Sequence, residues 1–273
     1  MTHPLAEVIA ALDVIAPLSY AESWDNVGVL LPGKENPQVR SVLFAIDLTI
    51  AVTHEAVERA VDLVVAYHPP IFKGFLRLRR AVPMESNVLE LIERKIALYS
   101  PHTALDSAPS GLNDWLVRLA GKGDVAPITP TVADARAGAG RVMQLESAED
   151  PIVVAARFRE GTAAPHARLA DRRPNEPIFR VAVAAGAGGS LFERAGVCPA
   201  TNQTRTLFVS GELRHHDGLT FTEQGHAVLL LEHDASERGF LQEYSLRLKA
   251  AFGSGSIETS VARADVNLVR ALP

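Results

Sequence analysis

Short apolar runs alternate with amphipathic segments along most of the chain, and this alternation restricts the fold more than any other sequence feature. Buried strands are predicted for "SVLFAID" (41–47), "DLVVAYH" (62–68) and "IALYS" (96–100). Between them, apolar residues at helical spacing predict helices in "IAVTHEAVERAV" and "NVLELIERK" (87–95). Strands that alternate with helices are typical of α/β proteins with a largely parallel sheet. The sequence therefore predicts an α/β fold.

The same alternation returns in the second half of the chain. We expect strands in "FRVAVAA" (179–185), "TLFVSGEL" (206–213) and "HAVLLLEH" (226–233), followed by a helix in "SERGFLQEYSLRLKAAF" (236–252) and a last strand in "IETSVARA" (257–264). This second group of elements predicts another α/β unit.

The middle of the chain is less regular. Segments 122–140 and 161–177 are rich in glycine, proline and alanine, which predicts loops or an interdomain crossing. We therefore expect that 1–125 together with 205–273 forms the α/β lobes that carry the functional site. Residues 126–204 would form a central connecting portion.

Charge and cysteine content restrict the class of protein. The chain of 273 residues has a net charge of -5, so no basic field favours nucleic acid as a partner. The single cysteine, Cys198, allows no disulfide within the chain, which fits a reducing, cytoplasmic location. Cys198 has no evident base near it in the sequence, so we do not expect it to be a nucleophile. No apolar run approaches the roughly 20 residues of a membrane span.

Three of the nine histidines directly follow apolar strand patterns. They are His68, His102 and His233, and ligands of open α/β sheets bind beyond the carboxyl ends of strands. Asp106 and Glu237 each follow one of these histidines by four residues. Imidazole and carboxylate without thiolate suit zinc, iron, manganese or nickel. A carboxylate such as Asp106 could bridge two ions about 3.5–4 Å apart.

Simpler interpretations of these residues stay open. A single histidine is more often a satisfied core or surface residue than a ligand. The run "GELRHHDGL" (211–219), with His215, favours a polar helix start over a set of ligands. The glycines of "AAGAGGS" (184–190) do not match the dinucleotide-binding spacing and favour a tight strand-to-helix turn. The basic run "RLRR" (77–80) favours a solvated face, although it could contact an anionic substrate.

Several motifs occur in the order found in one known family. They are "WDNVGVLL" (24–31), "YHPPIF" (67–72), "SPHTALD" (100–106), "GLND" (111–114), "GAGR" (138–141), "SGELRHHDGL" (210–219) and "EHDASER" (232–238). The chain resembles the Nif three-like dinuclear-metal-centre proteins, also named GTP cyclohydrolase 1 type 2, in their short form without an inserted middle domain. The resemblance implies two α/β domains with a metal cleft between them, two divalent ions per chain and a toroidal homohexamer. It also implies the metal ligands His68, Asp106, His233 and Glu237.

One position departs from many bacterial members of that family. Two adjacent histidines ligate metal there, whereas this chain has Tyr67 before His68, in a "YHPPIF" motif that resembles the eukaryotic-type branch. A phenol has a reference pKa near 10, so metal ligation by Tyr67 is costly and a hydrogen bond to a water ligand is the alternative. The second metal position could be weak, empty, or completed by His102 or water.

These observations lead to two hypotheses about function that involve a metal, and a small-molecule-binding α/β protein without a metal is the third and simplest hypothesis. The first is a metal-dependent hydrolase-like protein that acts on a small molecule such as a nucleotide, as a GTP cyclohydrolase 1 type 2 would, or on another phosphoester. His102 and His215 would then transfer protons or contact the substrate. The second is a non-enzymatic, metal-binding oligomeric scaffold or transcription-associated regulator with a protein partner.

Overall fold

The computed structural model describes residues 1–194, 204–253 and 255–269. Cys198, for which no nucleophilic role is expected, lies outside the described residues. The strands, in chain order, are β1 (His3–Pro4), β2 (Gly28–Leu31), β3 (Gln38–Val39), β4 (Ser41–Ala45), β5 (Leu63–Ala66), β6 (Ala97–Ser100), β7 (Gly123–Pro130), β8 (Gly138–Glu149), β9 (Arg168–Asp171), β10 (Ile178–Ala187), β11 (Thr206–Glu212), β12 (Ala227–Leu230) and β13 (Glu258–Val261).

Helices follow most of these strands, as the α/β pattern predicts. In chain order they are α1 (Leu5–Ile15), α2 (Ile50–Glu58), α3 (Pro83–Arg94), α4 (His102–Ser107), α5 (Leu112–Arg118), α6 (Pro151–Thr162), α7 (Gly189–Arg194), α8 (His215–Glu223), α9 (Ala235–Arg238) and α10 (Phe240–Ala251). Among the described residues, no helix is long and apolar enough to cross a membrane.

The chain divides into two compact units. Unit 1 comprises Met1–Leu105 and Leu241–Val266, and unit 2 comprises Asp106–Phe240 with the segment that begins at Asn267. The first division falls inside α4, so Asp106 belongs to unit 2 although its helix begins in unit 1. The sequence predicts that the functional site is carried by residues 1–125 together with 205–273. It predicts that residues 126–204 connect these parts. This division of roles stays a prediction.

Unit 1 contains a five-stranded sheet in the order β13-β4-β5-β6-β2. The pairs β13–β4, β4–β5 and β5–β6 are parallel, and β2 joins the edge antiparallel to β6. Buried aliphatic residues such as Leu43, Val64 and Leu98 pack against Val52 and Leu91 of the covering helices. Because the central strands are parallel and buried, their carboxyl ends meet at one edge of the sheet.

Unit 2 contains a six-stranded mixed sheet in the order β7-β8-β10-β11-β12-β9. The central pairs β10–β11 and β11–β12 are parallel, whereas β8 pairs antiparallel with β10. Val181, Val209 and Leu229 form its core with Phe158 of α6. The carboxyl ends of β10, β11 and β12 therefore also meet at one edge.

The structure corrects the prediction for the middle of the chain. The stretch 122–140, predicted as a loop, contains β7 and the start of β8, which pair in an antiparallel ladder from Gly123–Leu145 to Pro130–Gly138. The stretch 161–177, also predicted as a loop, contains the end of α6 and the edge strand β9. Glycine and proline mark an edge ladder here, where they are tolerated, and not a break between elements.

Candidate metal centre

His68 lies two residues beyond the end of β5 in unit 1. The backbone N–H groups of Tyr67 and His68 donate to the carbonyls of Ala45 and Ile46, which fixes this tip beside the end of β4. The ring Nδ1 of His68 lies 3.0 Å from Oδ1 of Asp47. Since a carboxylate only accepts hydrogen bonds, Nδ1 carries the proton and Nε2 is the nitrogen with a lone pair for a metal.

His102 lies two residues beyond β6, at the first residue of α4, and has the same kind of partner. Its Nδ1 is 2.8 Å from Oδ1 of Asp25, whose other oxygen accepts from the backbone N–H of Thr103 at 3.1 Å. Burial opposes ionisation of Asp25, but the hydrogen bonds from His102 and Thr103 prevail and hold its pKa below the usual value. The backbone of His102 has φ +30°, a left-handed conformation that a non-glycine residue adopts at a cost.

Tyr67 completes a cluster of three rings in unit 1. Its ring centroid lies 4.8 Å from that of His68 and 5.5 Å from that of His102, and the two imidazoles are 5.4 Å apart. The Tyr67 side chain is buried, at 2% exposure. The sheet topology therefore brings together residues that follow two neighbouring parallel strands, β5 and β6, as expected at the carboxyl edge of a parallel sheet.

His233 follows β12 in unit 2 and repeats the carboxylate arrangement. Its Nδ1 lies 3.0 Å from Oε1 of Glu212, and its Nε2 lies 3.4 Å from Oε1 of Glu237 on α9. Glu237 is buried at 2% exposure. The preceding residue, Glu232, has φ +72°, so the chain turns sharply between strand and helix. The His-x-x-x-Glu spacing therefore places both donors on one turn.

Gly186 lies directly against this pair of donors. A Cβ atom added to it would be 2.7 Å from Oε1 of Glu237 and 3.0 Å from Nε2 of His233. Ser236 accepts from the Gly186 N–H at 2.8 Å and donates to the His233 carbonyl at 2.6 Å. The predicted strand-to-helix turn at 184–190 is present between β10 and α7. Its glycine also leaves the donors a space that a side chain would fill.

Asp106 is held through the backbone around it. Asn113 donates to the Asp106 carbonyl at 3.2 Å, and Arg141 donates to the carbonyls of Ser107 and Ala108 at 3.3 and 3.0 Å. Arg141 is 1% exposed and forms two hydrogen bonds, of 2.9 and 3.0 Å, with the carboxylate of Asp114. Asn113, Asp114 and Arg141 occur in the motifs "GLND" and "GAGR", but nothing in the sequence predicts a role for them. Asn113 and Asp114 lie on α5 and Arg141 lies on β8, so no local pattern in the sequence links them.

His215 is placed differently from the other predicted residues. It is exposed at the first residue of α8, and its ring contacts that of His216 at 5.3 Å. A polar helix start, the simpler interpretation of this segment, agrees with that position.

The donor set fits a divalent metal ion. Among the described residues, His233 and Glu237 of unit 2 each offer one ligand atom that could hold such an ion, and His68 of unit 1 offers one of its own. Two imidazoles and a carboxylate are typical ligands of zinc, iron or manganese. Each imidazole also has the carboxylate partner at Nδ1 that ligating histidines commonly have.

Fold and side chains together define a two-unit α/β protein whose strand ends carry carboxylate-oriented histidines. A family model described as Duf34/NIF3 (NGG1p interacting factor 3) matches residues 3–267, and the chain belongs to this family.

Named relatives agree with the family assignment. NIF3-like protein 1 of Drosophila melanogaster is 36% identical over 88% of this chain and 80% of its own length. A GTP cyclohydrolase 1 type 2 homolog of Clostridium perfringens is 29% identical over 92% of this chain and 93% of its own length. The crystal structure of a Bacillus cereus protein related to NIF3 covers 100% of both chains with a TM-score of 0.84 at 15% identity, which supports the fold.

Proposed function

We propose that this chain is a metal-dependent, hydrolase-like protein with a dinuclear metal centre. The proposed ligands are His68, Asp106, His233 and Glu237, with Tyr67 as a ligand or as a hydrogen-bonding neighbour. The observation that carries the proposal is the shared orientation of the histidines: both His68 and His233 engage a carboxylate through Nδ1 and present Nε2. When bound, two divalent ions would lower the pKa of water and polarise a phosphoryl or ring-carbon electrophile.

The protein's own groups would orient the ligands and move protons. Asp47 and Glu212 fix the tautomer of the ligating imidazoles. His102 is the better supported proton-transfer residue, because the Asp25 carboxylate at its Nδ1 fixes the orientation of the ring and leaves Nε2 to accept or donate a proton. His215 keeps a role in substrate contact as a proposal only.

The proposed substrate is a nucleotide or another phosphoester. Support comes from the name of the Clostridium relative, GTP cyclohydrolase 1 type 2 homolog. We further propose a cytoplasmic homohexamer with a toroidal form, as the family resemblance implies.

A second candidate function is a non-enzymatic scaffold or regulator with a protein partner. It is favoured by the family description, which contains the words NGG1p interacting factor. Such a protein would keep its assembly and its partner binding after the metal is stripped.

The test combines metal counting with an activity assay. Plasma mass spectrometry on tag-free protein should find about two ions per chain, and turnover of nucleotides or phosphoesters should require them. His233→Ala and Asp106→Ala should lose metal and turnover, whereas His216→Ala, an exposed histidine on α8, should lose neither. No metal after loading with zinc, iron or manganese would overturn the proposal. Metal without turnover would favour the scaffold.

A further inference from the structure

Unit 1 exposes two large aromatic side chains that contact each other. Trp24 is 59% exposed and Phe72 is 44% exposed, and their ring centroids are 5.9 Å apart at an angle of 54°. Single exposed apolar residues are ordinary on protein surfaces, but adjoining exposed aromatic rings more often mark a binding site.

The backbone beneath this aromatic pair is well anchored. Asn26, two residues after Trp24, donates its side-chain N–H to the carbonyl of Ile71, the residue before Phe72. Asp25 is fixed by His102 and by the backbone of Thr103. Rings on such a support lose little conformational entropy when they bind a ligand.

The aromatic pair lies beside the ring cluster of the candidate metal centre. Trp24 and Phe72 both meet His102 edge-on, with centroid distances of 6.2 and 6.4 Å and angles of 77° and 79°. His102 in turn lies 5.4 Å from His68, a proposed metal ligand. A ligand ring bound on the aromatic pair would therefore lie near the groups proposed to act on the substrate.

We propose that Trp24 and Phe72 bind a flat heteroaromatic ring of purine size by stacking, and so orient the substrate toward His68. The bicyclic indole of Trp24 matches such a ring in area, and stacking on aromatic side chains tolerates any base because every base has a π-face. Two partly exposed rings supply a small part of the roughly 800 Å² that each partner contributes to a standard protein interface. That the bound ring belongs to a substrate rests on the proposed function.

Calorimetric titration with adenosine 5′-monophosphate tests the proposal, with ribose 5-phosphate as the probe that lacks the ring. The intact protein should bind the nucleotide at least about tenfold more tightly, since stacking of one base supplies a factor of this order. Trp24→Ala and Phe72→Ala should remove that preference, and Trp24→Tyr should restore part of it. Leu76→Ala is the matched control, because Leu76 is an apolar residue at 98% exposure in the same unit.

The same titrations separate this proposal from the proposed function. His233→Ala should lose turnover and keep the ring preference, while Trp24→Ala should keep its metal content. If the metal-loaded wild-type protein prefers the nucleotide to ribose 5-phosphate but shows no turnover, the proposed function is wrong and the proposed ring-binding site stands. Equal binding of both probes, or no nucleotide binding, would overturn the ring site. So would a Trp24→Ala variant that binds the nucleotide normally but has a smaller mass by light scattering, because the pair would then be a contact between copies of the chain.

Discussion

The two units supply candidate ligands in different ways. In unit 1, His68 and His102 come from the ends of two neighbouring parallel strands, and each is held by its own carboxylate. In unit 2, His233 and Glu237 come from one strand-to-helix turn and pack against the backbone of Gly186. Unit 1 therefore depends on strand register and side-chain partners, whereas unit 2 depends on close approach of the backbone. The two designs should fail under different substitutions.

The largest effect is expected at the buried cation of unit 2. Arg141→Ala removes the buried guanidinium that donates to the Asp114 carboxylate and to several carbonyls, and breaking a largely buried pair costs about 3 kcal/mol of unfolding free energy. Denaturant unfolding measures this loss. Arg136→Ala is the control, because Arg136 pairs with Asp134 at 81% exposure and should cost no more than about 1 kcal/mol. Equal losses in both variants would contradict a special role for Arg141.

Next in size is the effect of filling the space at Gly186. Gly186→Ala places a methyl group against Oε1 of Glu237 and Nε2 of His233, so metal affinity should fall by about 100-fold, the upper end of what disturbed ligand support costs. Competition with a metal chelator measures the affinity.

Backbone strain must be separated from that effect, because Gly186 has φ +61°. Gly253→Ala provides the control: Gly253 has φ +76° with open space around its Cβ position. It should show a similar loss of about 1 kcal/mol in stability, with unchanged metal affinity. If Gly186→Ala kept wild-type affinity, the space would have no role in metal binding.

The contrast between the units also explains what the sequence could predict. His68, His102 and His233 each follow an apolar run, and strand ends meet at one edge of a parallel sheet, so their position beyond strand ends was predictable. The i,i+4 spacing of His233 and Glu237 was equally visible. Gly186 was not, because a glycine in a turn gives no sign of which side chains approach it.

The orienting carboxylates and the edge ladder were hidden for a related reason. Asp47 and Glu212 are each 21 residues from the histidine they hold, so their pairing depends on sheet register and not on local pattern. Strand β7 has glycine and proline where a central strand would have β-branched residues, and its pairing with β8 determines its conformation. Local pattern therefore predicts donors on one element better than contacts between elements.

Exchange of the orienting carboxylates tests whether both units use the same device. Asp47→Asn and Glu212→Gln keep an oxygen for the Nδ1–H bond but remove the charge, so each should weaken metal binding by about tenfold, the lower end for loss of such partners. Glu223→Gln, a surface exchange on α8, is the control. A loss in only one of the two variants would show that the carboxylates are not equivalent.

The smallest effect concerns how each unit responds to acid. His226 of unit 2 is buried, and burial, together with Arg180, Arg205 and Arg173, lowers its pKa below the usual value of 6.5. Because the folded state binds this proton less readily than the unfolded state, its stabilising contribution is complete above pH 6.5 and is lost as the pH falls from there toward the folded pKa. The pKa of Asp25 in unit 1 is also lowered by folding, so its stabilising contribution is likewise lost in acid. That loss begins only below pH 3.8, the usual pKa of an aspartate.

Between pH 6.5 and 4.5, unit 2 should therefore lose hydrogen-exchange protection before unit 1 does. One proton changes the free energy of unfolding by at most about 1.4 kcal/mol per pH unit. His226→Phe should make the hydrogen-exchange protection of amides in β11 less dependent on pH. His216→Phe, at an exposed position, should leave this pH dependence unchanged. Loss of protection first in β5 of unit 1 would contradict the assignment of the acid response to His226.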